Sequence, residues 1–186
     1  MKFITVSAAL CALSSASALP LDAVSMQKVQ VLPDRSTNPV LDLIIASEAK
    51  DDDLKAAVDN WKSENPLGPA RALIETLKTG AASLSSAPVL SLSQALDLTK
   101  SSQDLEAHTK KLVESIKAQR DNAKAAKACG LVRKVIEEVS AASAAVVDAT
   151  VSKIPLIGQS IARKQSQGTL DAWADAKSFF SETNCA

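Results

Sequence analysis

Rings are nearly absent from this sequence. Its 186 residues include two Trp, three Phe and no Tyr, which argues against an aromatic-stacking nucleic-acid platform and against a ring-rich β-sandwich. A single His, His108, removes most catalytic constellations that depend on imidazole. Charge of one sign is also missing: Lys+Arg and Asp+Glu stand at 21 each, so electrostatics gives no case for a nucleic-acid or other polyanion partner. No segment reaches about 18 uninterrupted apolar residues, so no transmembrane helix is expected.

What is abundant is small. There are 32 Ala and 23 Ser, and the apolar fraction is 46%. So much Ala with only five Gly favours helices. The length allows one sizeable core in one domain, or two small ones.

The N-terminus has a basic start at Lys2, an apolar stretch from Phe3 to Leu13 and the small-residue site Ala16-Ser17-Ala18. This is the pattern of a secretory signal peptide over residues 1–18, cut before Leu19, with a buried N-terminal helix as the alternative. Cleavage removes Lys2 and leaves 20 basic against 21 acidic side chains. It also removes Cys11 and leaves two cysteines, Cys129 and Cys185. In an oxidising compartment these are most simply one disulfide, although two free thiols or an intermolecular pair through Cys185 stay open. No Asn-x-Ser/Thr sequon occurs, and residues 178–186 lack the hydrophobic tail of a glycolipid anchor.

Residues 19–37 show no sustained period and read as an extended arm or short pro-segment. The helical domain is expected over residues 38–186. Asn38-Pro39 is a helix start, with Asn as N-cap and Pro at the first helical position. Val40, Leu41, Ile44 and Ile45 share a face, and the spacing resumes after Asp51-Asp52-Asp53 as Leu54, Val58 and Trp61. Beyond Asn65-Pro66-Leu67-Gly68-Pro69, a second stripe runs through Ala70, Leu73, Ile74, Leu77, Ala81 and Leu84. A third helix starts near Ser91 or Ser93 and has Leu98, Leu105, Leu112 and Ile116 on its seam. The tract from Gln119 to Lys127 is a helix end or a joint. From Leu131 a stripe continues through Val132, Val135, Ile136, Val139, Val146, Val147, Val151 and Ile154, and after Pro155 and Gly158 a last helix carries Ile161, Leu170, Trp173 and Phe180, with Gly168 in its middle. The fold class is therefore all-α: an antiparallel bundle of about five amphipathic helices joined by short links.

Chemistry-bearing constellations are absent by this reading. His108 lies among Glu106, Thr109 and Lys110 with no second ligand at metal spacing, and reads as a surface residue. Asp51-Asp52-Asp53 lacks the alternation, the Gly and the closing Glu of a calcium loop and reads as a solvated bend or helix start. Glu137 and Glu138 point about 100° apart on a helix and make no acid/base pair. No nucleophile elbow or P-loop appears. No catalytic residue, metal site or cofactor is expected, and the chain reads as non-enzymatic. Periodicity is the same for a filled core and for a bundle with an acyl-sized gap, so both stay open.

The order of features resembles the fungal hydrophobic surface binding protein A family, also called cell wall galactomannoproteins. The likeness runs through a first helix ending at Asn60-Trp61, the linker Leu67-Gly68-Pro69-Ala70, the segment Ile74 to Gly80, a Ser-rich turn before Leu92, and Ala144 to Pro155 with its Val-x-Ser-Lys-hydrophobic-Pro ending. It spans roughly residues 38–182. The resemblance implies a secreted, extracellular, cell-wall-associated helical protein that adsorbs to hydrophobic surfaces. In related members it implies a five-helix bundle enclosing fatty acids or other lipids. It also implies, for some members, recruitment of secreted hydrolases; the alternative to lipid binding is a surface-active adhesion or recruitment protein, or a secreted effector that binds a host protein. No binding residue is carried over from the family. If the inter-helix space takes an acyl chain, the apolar stripes offer Val58, Trp61, Leu73, Leu77, Leu112, Ile116, Val139 and Val147 as its lining. The two Trp residues, each near a helix end or weak point, are the first places to look for an entrance. Cys129 and Cys185 are outside the family pattern and would pin the last helix to the fourth.

Overall fold

A computed structural model describes residues 38–185, so the signal peptide and arm expected over 1–37, with Cys11, lie outside the described residues. Every regular element among the described residues is a helix: α1 Pro39–Asp59, α2 Leu67–Ser85, α3 Leu92–Ala118, α4 Arg120–Ala125, α5 Cys129–Lys153 and α6 Leu156–Phe179. The expected long helices are all present. The ambiguous tract before Cys129 forms the six-residue α4, which anchors itself through a fully buried Ala123.

Local chemistry sets the boundaries. Asn38 Oδ1 accepts from the backbone N–H groups of Val40 at 3.2 Å and Leu41 at 3.3 Å, with Pro39 in the first turn, which satisfies donors a helix start leaves open. At α3, Gln94 N–H donates to Ser91 Oγ at 3.2 Å while Ser91 N–H donates to Gln94 Oε1 at 2.9 Å, a reciprocal capping box. Two residues past the end of α4, Lys127 has φ 54°. There Ala128 N–H reaches back to Ala123 O at 2.8 Å and Lys127 N–H to Lys124 O at 3.0 Å, the two bonds of a Schellman turn. That turn redirects the chain into α5 at Cys129.

The packing of the five long helices closes on itself. α1 packs on α2, α2 on α5, α5 on α6, α6 on α3, and α3 back on α1. Two core clusters fix the directions. One joins Val40 and Ile44 of α1 to Leu84 near the end of α2, Leu98 near the start of α3 and Ile154 just after α5. The other joins Leu54 and Val58 to Ala70, Ile116, Cys129 and Phe180. Hence α1, α3 and α6 run one way and α2 and α5 the other. Consecutive long helices are antiparallel, as short links require, but α2 and α3 are not ring neighbours. The link between them crosses the end of α5, where Leu90 N–H bonds Lys153 O at 2.7 Å and Lys153 Nζ bonds Ser85 O at 2.9 Å. Three seams of the ring are therefore parallel.

Close approach is built in where a side chain would obstruct it. A methyl group on Gly80 would overlap Leu43, so α1 and α2 cross tightly there. α6 passes unbroken through Gly168, over which the Glu106 carboxylate of α3 is seated. At the far end Cys129 and Cys185 are disulfide-bonded with Cα atoms 5.5 Å apart. Arg133 reinforces the junction by donating to Phe180 O at 2.9 Å, Glu182 Oε1 at 3.1 Å and Cys185 O at 3.0 Å. No helix among the described residues is long and apolar enough to cross a membrane.

Candidate ligand cavity inside the helix ring

A ring of five helices has an axis, and here the axis is a narrow slot. Its wall takes Val40, Ile44 and Asp51 from α1, Leu73 and Leu77 from α2, Leu105 and Thr109 from α3, Val146 and Val147 from α5, and Thr169 and Trp173 from α6. From Val40 to Asp51 the wall rises eleven residues, about 16 Å along the helix. The slot holds about 60 Å³. Its walls are aliphatic, interrupted by hydroxyls from Ser47, Ser102, Ser143, Thr150 and Ser166.

Asp51 is the exception on this wall. It is 3% exposed, and Thr109 Oγ1 donates to its Oδ2 at 2.7 Å. Desolvation pushes its carboxyl up to about 7, with Asp52 and Glu48 adding to the shift, against the lowering effect of the Thr109 bond and of His108. The acidic run therefore does not behave as one solvated bend. With about 100° between successive residues, Asp51 turns inward, Asp52 Oδ1 meets His108 Nδ1 of α3 at 2.8 Å, and Asp53 pairs with Lys50 at 2.7 Å on the outside. His108 is half-buried in that cross-helix pair and is not part of the slot wall.

Two further cavities flank the slot. At the end where α1 meets α2, about 280 Å³ is lined by Val58, Trp61, Leu67, Ile116, Leu131 and Ile136. At the opposite end, about 200 Å³ between α3, α5 and α6 is lined by Leu92, Leu96, Ile154, Ile157 and Ile161, and it shares Ser102, Thr150 and Ser166 with the slot. Around this second mouth the apolar side chains are uncovered: Leu156 is 86% and Ile157 81% exposed, beside exposed Leu92, Leu96 and Ile161.

The residues expected from the sequence as lining divide into three groups. Leu73, Leu77 and Val147 are on the slot, Val58, Trp61 and Ile116 are on the end cavity, and Leu112 and Val139 are fully buried in the packed core and line none of these spaces. Trp61 is half-exposed at its cavity, whereas Trp173, at 2% exposure, is interior wall and marks no entrance. Ile45, Leu131 and Ile161 lie on the expected stripes yet are exposed, the last two at cavity rims. The sequence reading missed Asp51 and Thr109. A signal was available, because Ile44, Asp51 and Val58 repeat at seven-residue spacing on one face.

Comparison with known proteins places this architecture. Residues 38–152 match the model of the hydrophobic surface binding protein A family. Cell wall mannoprotein 1 of Aspergillus fumigatus is 27% identical over 150 residues, covering 75% of this chain and 53% of that protein. The chain thus spans about half the length of that relative. Ligand binding domain 2 of the Penicillium marneffei MP1 protein, solved with multiple arachidonic acids, superposes with a TM-score of 0.75 at 18% identity, over 81% of this chain and 99% of that one. AfMP4P in complex with palmitic acid gives 0.71 at 14% identity, over 76% and 97%. These likenesses establish a common fold. With the family model matched over more than half its length, the chain belongs to the hydrophobic surface binding protein A family.

Proposed function

We propose that this chain is a secreted, non-enzymatic protein that binds a fatty acid or other lipid between its helices. The observation that carries the reading is the slot on the ring axis, walled by all five long helices. Relatives of the same fold hold arachidonic or palmitic acid. Secretion is supported by the signal-peptide pattern over residues 1–18 and by the Cys129–Cys185 bond. Residues 38–186 then act as one bundle domain, in the extracellular space or at the cell wall. The only His, His108, is engaged with Asp52 off the slot wall, which agrees with a binding role.

At about 60 Å³ the slot is smaller than the roughly 300–1,000 Å³ of ordinary small-molecule sites. Loading therefore requires side chains to move or the ring to widen, with the end cavities supplying free volume. Each buried CH₂ contributes about 0.8 kcal/mol, enough for a long chain to drive that change. Native mass spectrometry of protein purified without detergent, followed by fatty-acid titration, tests the reading. Adducts at fatty-acid mass are expected, and a ligand-free mass together with no uptake on titration rejects it.

A second reading, adsorption to hydrophobic surfaces or recruitment of a secreted hydrolase or host protein, is favoured by the uncovered cluster of Leu92, Leu96, Leu156, Ile157 and Ile161. Contiguous apolar surface of this kind marks interaction sites. Partition onto a hydrophobic polymer tests it, and a protein that stays in solution counts against adsorption.

A further inference from the structure

Among the described residues the slot wall carries one ionisable side chain, Asp51, and no cation. Its other polar groups are hydroxyls, and two of these have already committed their protons. Ser47 Oγ donates to Leu43 O of its own helix at 2.8 Å, and Thr109 Oγ1 donates to Asp51 Oδ2 at 2.7 Å. A lipid head entering this space finds a carboxyl group where an anion-binding site would place a lysine or arginine. Two carboxylates in one desolvated space cannot both ionise cheaply, so such pairs share a proton.

We propose that Asp51 makes the slot selective against a second negative charge: it takes a lipid ending in an alcohol, or a carboxylic acid only while one proton is shared between that acid and Asp51. This rests on the lipid-binding reading above and specifies the head that the bound lipid carries. An alcohol can donate to ionised Asp51 or accept from protonated Asp51, so it suits either state. A carboxylate suits only the protonated state.

The surroundings set where that state changes. Burial pushes Asp51 up to about 7. The titratable groups facing it are Glu48 and Asp52 from α1 and His108 from α3. From α2, α5 and α6 the slot presents side chains that do not titrate, among them Leu73, Leu77, Ser143 and Trp173.

The test is titration of the wild-type protein and of Asp51→Asn with palmitic acid and with the alcohol of the same chain length. With the carboxyl at about 7, about one Asp51 in thirty is protonated at about pH 8.5, so the wild type should lose about thirtyfold in affinity for the acid between about pH 5.5 and 8.5. Its affinity for the alcohol should change less than about threefold, and Asp51→Asn should bind the acid alike at both values. Acid binding by the wild type that is equal at both values, or that falls equally in Asp51→Asn, overturns the role of Asp51 and leaves lipid binding standing. A wild-type loss for the alcohol as large as for the acid overturns it too. Uptake of neither ligand by either protein overturns the lipid-binding reading, and this inference with it.

Discussion

Asp51 links the interior of the ring to pH through stability as well as through binding. Its carboxyl ordinarily titrates at 3.8 and is pushed up to about 7 in the folded protein, chiefly by desolvation. Between those values the unfolded chain is ionised there while the folded chain holds a proton, so stability is fully present below about 4 and falls as pH rises through about 7. The gap of about three pH units corresponds to about 4 kcal/mol at 1.36 kcal/mol per unit. Such a loss is a large part of the roughly 5–15 kcal/mol that holds a domain folded. Asp51→Asn keeps an acceptor for Thr109 and has no charge to bury, so the variant should gain on the wild type by about 4 kcal/mol between about pH 4 and pH 8. Urea unfolding followed by circular dichroism reads this directly. For a slope of about 2 kcal/mol per molar urea, the separation between the two midpoints should change by about 2 M across that range. Other carboxylates titrate in both proteins and cancel in the comparison. Unfolding curves whose separation is the same at both pH values would refute the account of a buried, destabilised carboxyl.

Three other perturbations follow from the packing. Replacing Cys129 and Cys185 together by Ser opens a loop with a sequence separation of 56, and should cost about 4 kcal/mol in denaturant unfolding on the chain-entropy model; retention of wild-type stability would assign the junction to Arg133 alone. Gly168→Ala should stabilise α6 by up to about 1 kcal/mol, because helix propensity improves while the obstructing Glu106 carboxylate can swing outward; a loss of stability on thermal melting would mean that Glu106 is held in place. Leu156→Ser with Ile157→Ser should reduce adsorption to a hydrophobic polymer while changing stability by no more than about 0.5 kcal/mol per site, since both side chains are exposed; unchanged adsorption would remove this mouth from the surface-binding reading.

The helices were legible because their signals are local. Ala70, Leu73, Ile74, Leu77 and Leu84 of α2 are all buried as their spacing requires, and Asn38 and Ser91 cap where their chemistry places them. The ring was less legible, since a stripe gives the direction a helix faces and not how many partners share that face. Ile45 and Ile161 fall on stripes by count yet stay exposed, because each long helix packs chiefly on two ring neighbours. A gap on the axis is equally invisible: Leu112 and Leu73 have the same periodic signature, but one meets side chains and the other meets the slot. Asp51 was hidden by its neighbours, since three consecutive acids look like solvated surface until the helix turns one of them inward. In α4, Ala123 supplies the anchor, and a buried Ala gives no contrast in a sequence this rich in Ala.

The central claim is that lipid lies inside the ring, and a crystal structure of the protein loaded with palmitic acid tests it most directly. Density for the acyl chain along the axis, in contact with Leu73, Leu77 and Val147 and with its oxygen end at Asp51, is the predicted result. A chain bound only over Leu156 and Ile157, with the slot still closed around Trp173, would contradict it.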